Sequence, residues 1–64
     1  MTSVQKERLI FTLENLYDHM GTTLDILVAH KEEVPEIDQW INDLESDMGI
    51  ITEWTDFLRE YDSN

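Results

Sequence analysis

Ile37, Ile41, Leu44, Met48, Ile51, Thr55 and Leu58 recur at steps of four, three, four, three, four and three residues. That is the rhythm of positions lying on one stripe of a helix that packs against a neighbouring helix. Only Thr55 interrupts the apolar series. The spacing predicts a single long helix from Pro35 to Tyr61. Pro35 suits its first turn, because the missing N–H has no intrahelical partner there. Glu36 and Asp38 follow, where the positive end of the helix dipole favours carboxylates.

A second stripe runs beside the first with the same alternation: Trp40, Asp43, Asp47, Ile50, Trp54, Phe57 and Tyr61. Its first half is mixed and its second half apolar. The last two turns of the helix are therefore apolar on both flanks. One neighbouring helix covers one flank, so something else is expected to cover the other.

The N-terminal half reads as a second helix, from about Val4 to Glu32, with Ser3 or Thr2 as its N-cap and Glu7 in the first turns. Leu13, Met20 and Leu27 form the centre of its apolar stripe. Leu9 and Leu16 flank it on one side, and Ile10, Tyr17, Leu24 and Val28 on the other. Gly21 weakens this helix by about 1 kcal/mol relative to alanine, and Thr22 with Asp25 resembles a capping box. The stripe nevertheless keeps its phase across the glycine, so continuity with a kink is expected. Residues 33–34 form the turn, since Val34 precedes a proline and is pushed out of helical geometry. A short link between two long helices makes them antiparallel neighbours. Asp62 to Asn64 are expected to fray. The fold class is thus all-α: residues 1–64 form one domain, an antiparallel two-helix hairpin that dimerises into a four-helix bundle.

Size and charge supply the argument for the dimer. A chain of 64 residues builds a core worth only about 3–5 kcal/mol, and small scaffolds usually add disulfides, a metal or oligomerisation. The chain has no cysteine, which leaves oligomerisation and fits a reducing, cytoplasmic compartment. No stretch of about 20 apolar residues suggests a membrane span, and Glu14 and Asp18 cut the apolar run that a secretory leader needs after Lys6 and Arg8. The net charge is -11, from 15 acidic and 4 basic side chains. Most of that excess lies in the second half. Such a chain is repelled by nucleic acid and anionic membranes, and its natural complement is a basic protein surface.

No residue pattern points to catalysis or a cofactor. Asp43, Glu45, Asp47 and Gly49 resemble part of a calcium loop, but Met48 takes the glycine position and Trp54 that of the bidentate glutamate. They read as a solvated helix face. His19 and His30 share a flank with Ile26 and match no paired Glu-x-x-His arrangement of a bundle metal site. Ser3, Thr22, Thr23, Ser46, Thr52 and Thr55 form no nucleophile–base pair with either histidine.

The candidate functional residues are instead two sets. The acidic set is Asp38, Asp43, Glu45, Asp47, Glu53, Asp56 and Glu60, joined on the first helix by Glu14, Asp18, Asp25 and Glu32. The aromatic set is Phe11, Trp40, Ile50, Trp54, Phe57 and Tyr61, most of it at the open end of the hairpin. Tryptophan and tyrosine there suit interface anchors. The expected function is non-enzymatic: a small regulator or inhibitor that binds a protein with a basic surface. In its sharper form, the carboxylates imitate nucleic-acid phosphates on a DNA- or RNA-binding host protein, as a phage or mobile-element product would. The alternative is a structural or adaptor subunit that docks its double-striped helix into a larger assembly.

Overall fold

In a computed structural model, residues 1–61 are described. They form two helices, α1 over Ser3–His30 and α2 over Ile37–Glu60, in contact along an elongated body of 51 × 15 × 11 Å between Cα extremes. The described residues contain no strand. The helical hairpin expected from the stripes is therefore present.

The start of α1 is set by Thr2 rather than Ser3. The Thr2 hydroxyl accepts the Gln5 amide at 3.1 Å, and the Gln5 side chain accepts the Thr2 amide at 2.8 Å. This reciprocal box needs Ser or Thr three residues before Glu or Gln. Thr2-x-x-Gln5 meets that rule; Ser3, followed three residues later by Lys6, does not. Ser3 accordingly lies inside the helix. α1 runs without a break through Gly21. The Thr22 and Thr23 hydroxyls donate to the Asp18 and His19 carbonyls of the preceding turn, so Thr22 caps nothing.

The connection is longer than residues 33–34. α1 ends at His30, and the Glu33 amide bonds to the His30 carbonyl at 3.0 Å. Pro35 and Glu36 form a tight turn ahead of α2: the Ile37, Asp38 and Gln39 amides reach back three residues, to Val34, Pro35 and Glu36. Glu36 makes no side-chain cap. Proline starts the helical turn, as its fixed φ favours, but regular α-helix begins only at Ile37.

The core is one row from each helix. On α2 the row is the stripe Ile37, Ile41, Leu44, Met48, Ile51, Thr55 and Leu58, every member buried or half-buried. On α1 it is Lys6, Ile10, Leu13, Met20, Leu24 and Leu27. Leu9 and Leu16, expected to flank the centre of the stripe, both remain exposed. Lys6 enters the row because its long stem lies along the apolar surface while its charged head leaves it. Its Nζ donates to the Tyr61 carbonyl at 3.0 Å. A second tie crosses the helices nearby, where Arg59 meets Glu14 at 2.9 Å and Asp56 at 3.4 Å. These side chains are about half exposed or more, so the pairs contribute at most about 1 kcal/mol. Stability rests on the apolar row, in which Leu13, Ile37 and Ile51 are the buried apolar side chains among the described residues.

Candidate functional site

Two helices in contact have two uncovered sides, and here the sides differ in chemistry. On one, Leu9, Leu13, Trp54, Phe57 and Leu58 line a shallow groove with almost no polar atoms at its surface. Trp54 is 54% exposed and Phe57 65% exposed. Tyr61 lies at the end of this groove, its ring centroid 6.0 Å from that of Phe57. Leu16, seven residues after Leu9, and Ile50, four before Trp54, continue the same side by helical periodicity.

The opposite side mixes polar and apolar groups. Glu14, Tyr17, Asp18, Ile51, Thr52, Thr55 and Arg59 line a groove there, which continues past Leu24, Glu45, Met48 and Gly49. Four of its polar side chains are engaged within the chain. Thr52 and Thr55 donate to the Met48 and Ile51 carbonyls at 3.0 and 2.8 Å, and Glu14 is held by Arg59. No buried side-chain nitrogen or oxygen lacks a partner among the described residues.

The second stripe divides along its length. Ile50, Trp54, Phe57 and Tyr61 belong to the open-end half of the apolar side. Asp43 and Asp47 occupy the half nearer the connection, with Trp40 beyond them, itself half exposed. Gln39 donates to Asp43 at 2.9 Å. Phe11 stands apart from the rest of the aromatic set. It is 65% exposed and, two residues from Leu9, is turned about 200° away from the groove. It shares the open end but not the side.

The acidic residues surround α2 rather than forming one row. Glu53, Asp56 and Glu60 lie on its outer face, Asp38 and Glu45, seven residues apart, on the side of Thr52, and Asp43 with Asp47 on the apolar side; all are exposed. Among the described residues, only Glu14, Asp56 and Glu33 approach a basic side chain, the last through His30 at 3.2 Å. His19 and His30 are both exposed on α1. No three His, Asp or Glu side chains are grouped to hold a metal ion among the described residues, and Asp43, Glu45 and Asp47 stand on a continuous helix instead of a loop. No described helix is long and apolar enough to cross a membrane.

No family model, curated protein or solved structure matches the chain.

The aromatic stripe was legible from its three-and-four spacing. The sidedness of α1 was not, because an apolar face running from Leu9 to Val28 is wider than one neighbour can cover. Lys6 was missed as a row member, although its place four residues before Ile10 and seven before Leu13 was a usable signal.

Proposed function

We propose that this chain is a small, non-enzymatic protein-binding regulator or inhibitor. It pairs with a second copy across its apolar side, four helices packing together where the two sides meet, and turns its carboxylates toward a basic protein surface. The observation that supports this reading is the groove of Leu9, Trp54, Phe57 and Leu58, an almost wholly apolar surface left in water. Large aromatic side chains left in water beside so small a core are interface anchors in search of cover. The carboxylates have little to neutralise them within the chain, so an external cation-rich surface is their complement.

The sharper form of the reading is phosphate imitation in the cationic groove of a nucleic-acid-binding protein. It is tested by titrating the chain against a panel of DNA-binding proteins at graded salt, with duplex DNA as competitor. Binding is expected to weaken steeply with salt and to be lost when DNA occupies the groove. The quadruple variant Asp38→Asn, Glu45→Gln, Glu53→Gln, Glu60→Gln is expected to bind far more weakly than any single variant, since a spread electrostatic footprint has no single hot spot. A partner that binds while saturated with DNA, and binds the quadruple variant as tightly as the parent, overturns this form.

A second reading is favoured by Trp40, which extends exposed apolar surface toward the connection: a structural subunit that docks α2 along its length into a larger assembly. Binding that is insensitive to salt and abolished by Trp40→Ala distinguishes it.

A further inference from the structure

We infer that the hairpin is jointed at its middle. Gly21 and Gly49 mark one level at which the open-end half and the half nearer the connection bend against each other as two packed units. The joint belongs to the chain alone and does not depend on the partner readings above.

Both helices are weakened at that level. Gly49 shares a groove with Tyr17 and Leu24 of α1. Gly21 stands midway between those two residues in the sequence, so the two glycines fall at one height along the body. A helical glycine lacks the side chain that restricts the backbone, and bends in helices gather at such identifiable weak places. No side chain and no part of the other helix lies within 4 Å of where a Cβ would stand at either glycine. Beside them the hydroxyls of Thr22, Thr23 and Thr52 donate to the carbonyls of Asp18, His19 and Met48, a back-bond that often bends helices.

The packing changes there too. The buried side chains are Leu13, Ile51 and Thr55 on the open-end side of the glycines and Ile37 at the connection. Between them the two rows offer Met20, Leu24, Leu27, Ile41, Leu44 and Met48, every one only half-buried. At the height of the glycines each helix contributes a methionine, whose flexible thioether side chain refills an irregular gap. A change of angle is therefore absorbed by repacking Met20 and Met48. The polar ties respect the same division, since Lys6 to Tyr61 and Arg59 to Glu14 both lie in the open-end half. That half is held by its own buried side chains and ties, and the other by Ile37 and the covalent connection.

The joint coincides with a chemical boundary. On the second stripe of α2, Asp43 and Asp47 precede Gly49, whereas Ile50, Trp54, Phe57 and Tyr61 follow it. Bending at this height changes the angle between the aspartate half and the aromatic half without disturbing either. Hinges in general are a few positions, often small residues, that absorb the backbone change while the parts on either side move as units.

Two measurements on the full chain test this. In native-state hydrogen exchange a hairpin without a joint is best protected in its middle, because helices fray from their ends. The joint reverses that order. The amides of residues 21–25 and 45–49 are expected to show protection lower by about five-fold or more than those of residues 12–17 and 51–57, the worth of one helical glycine against alanine. The double variant Gly21→Ala, Gly49→Ala is expected to remove that difference. Simple stabilisation of the whole hairpin would raise protection everywhere and leave the difference in place. The second measurement is a distance distribution between spin labels. The chain has no cysteine, so labels attach only where one is introduced. Asp38→Cys with Asp56→Cys, both at exposed positions, spans the joint on one face of α2, about 27 Å apart at 1.5 Å per residue. The distribution is expected to be broad in the otherwise unaltered chain and to narrow when both glycines become alanine. Middle amides protected as well as or better than those of residues 51–57, or a distribution whose width the two alanines leave unchanged, overturns the inference.

Discussion

Replacing Thr55 by valine exchanges a hydroxyl for a methyl at one of the most buried points between the helices, where Thr55 is 5% exposed. The hydroxyl donates to the Ile51 carbonyl at 2.8 Å. That carbonyl lies inside α2 and also accepts the Thr55 amide in the regular helical pattern, so losing the hydroxyl leaves no buried acceptor without a donor. The usual penalty for breaking a buried hydrogen bond, about 1–3 kcal/mol for the orphaned group, therefore does not arise. What is lost is a back-bond of the kind that slightly destabilises helices. What is gained is one buried methyl, about 0.8 kcal/mol. Valine and threonine are both β-branched and have similar helix propensities. The expected outcome is a gain of about 0.5–1 kcal/mol, or roughly 2–8 °C in midpoint at about 4–8 °C per kcal/mol for a domain of this size. A urea or thermal melt followed by circular dichroism, read at fixed protein concentration, measures it. If Thr55→Val melts below the parent by 1 kcal/mol or more, the hydroxyl has a partner beyond its own helix, and the account of the stripe as a simple apolar seam fails.

Gly21→Ala and Gly49→Ala place a methyl where no other group lies within 4 Å, inside continuous helices; each is expected to raise stability by about 1 kcal/mol, and a melt that drops shows that the glycine meets something outside the hairpin. Ile51→Ala removes a buried branched side chain and is expected to cost about 2–5 kcal/mol, enough to abolish cooperative unfolding; retention of a sharp melt would show that the core lies elsewhere. Arg59→Gln, which breaks half-exposed ties to Glu14 and Asp56, is expected to change stability by less than about 1 kcal/mol, measured in the same assay. Added sodium chloride is expected to raise the melting temperature, since screening acts on repulsion among many unpaired carboxylates; a falling midpoint would mean that attractive pairs dominate.

The α2 seam was readable because a three-and-four repeat from Ile37 to Leu58 admits one buried stripe. α1 was readable as a helix, but its rotation was not. Ile10 and Leu24 turned inward while Leu9 and Leu16 stayed out, and both arrangements satisfy the same wide apolar face. Only the position of α2 decides between them, and that is a property of two helices together. The connection was misjudged for a local reason: Pro35 marks where helical φ begins, whereas backbone bonds to the fourth residue back require several more positions. At the site, the division of the second stripe into Asp43–Asp47 and Ile50–Tyr61 was visible in the sequence. The separation of Phe11 from the other aromatics was visible too, since a 200° turn from Leu9 places it on the far face of α1.

The bond from Lys6 to the Tyr61 carbonyl has a practical consequence for anyone handling this protein. It fastens the beginning of α1 to the end of α2, so Lys6 and Tyr61 lie together at one end of the body. A fluorophore or other bulky group attached beside Tyr61 is then a neighbour of the Phe57 ring and will obstruct whatever settles on the aromatic groove. Residues 31–36 sit at the far tip of a body 51 Å long. A label attached at exposed Lys31 or Glu33, or a short insertion beside them, leaves the groove open and reports on assembly without taking part in it.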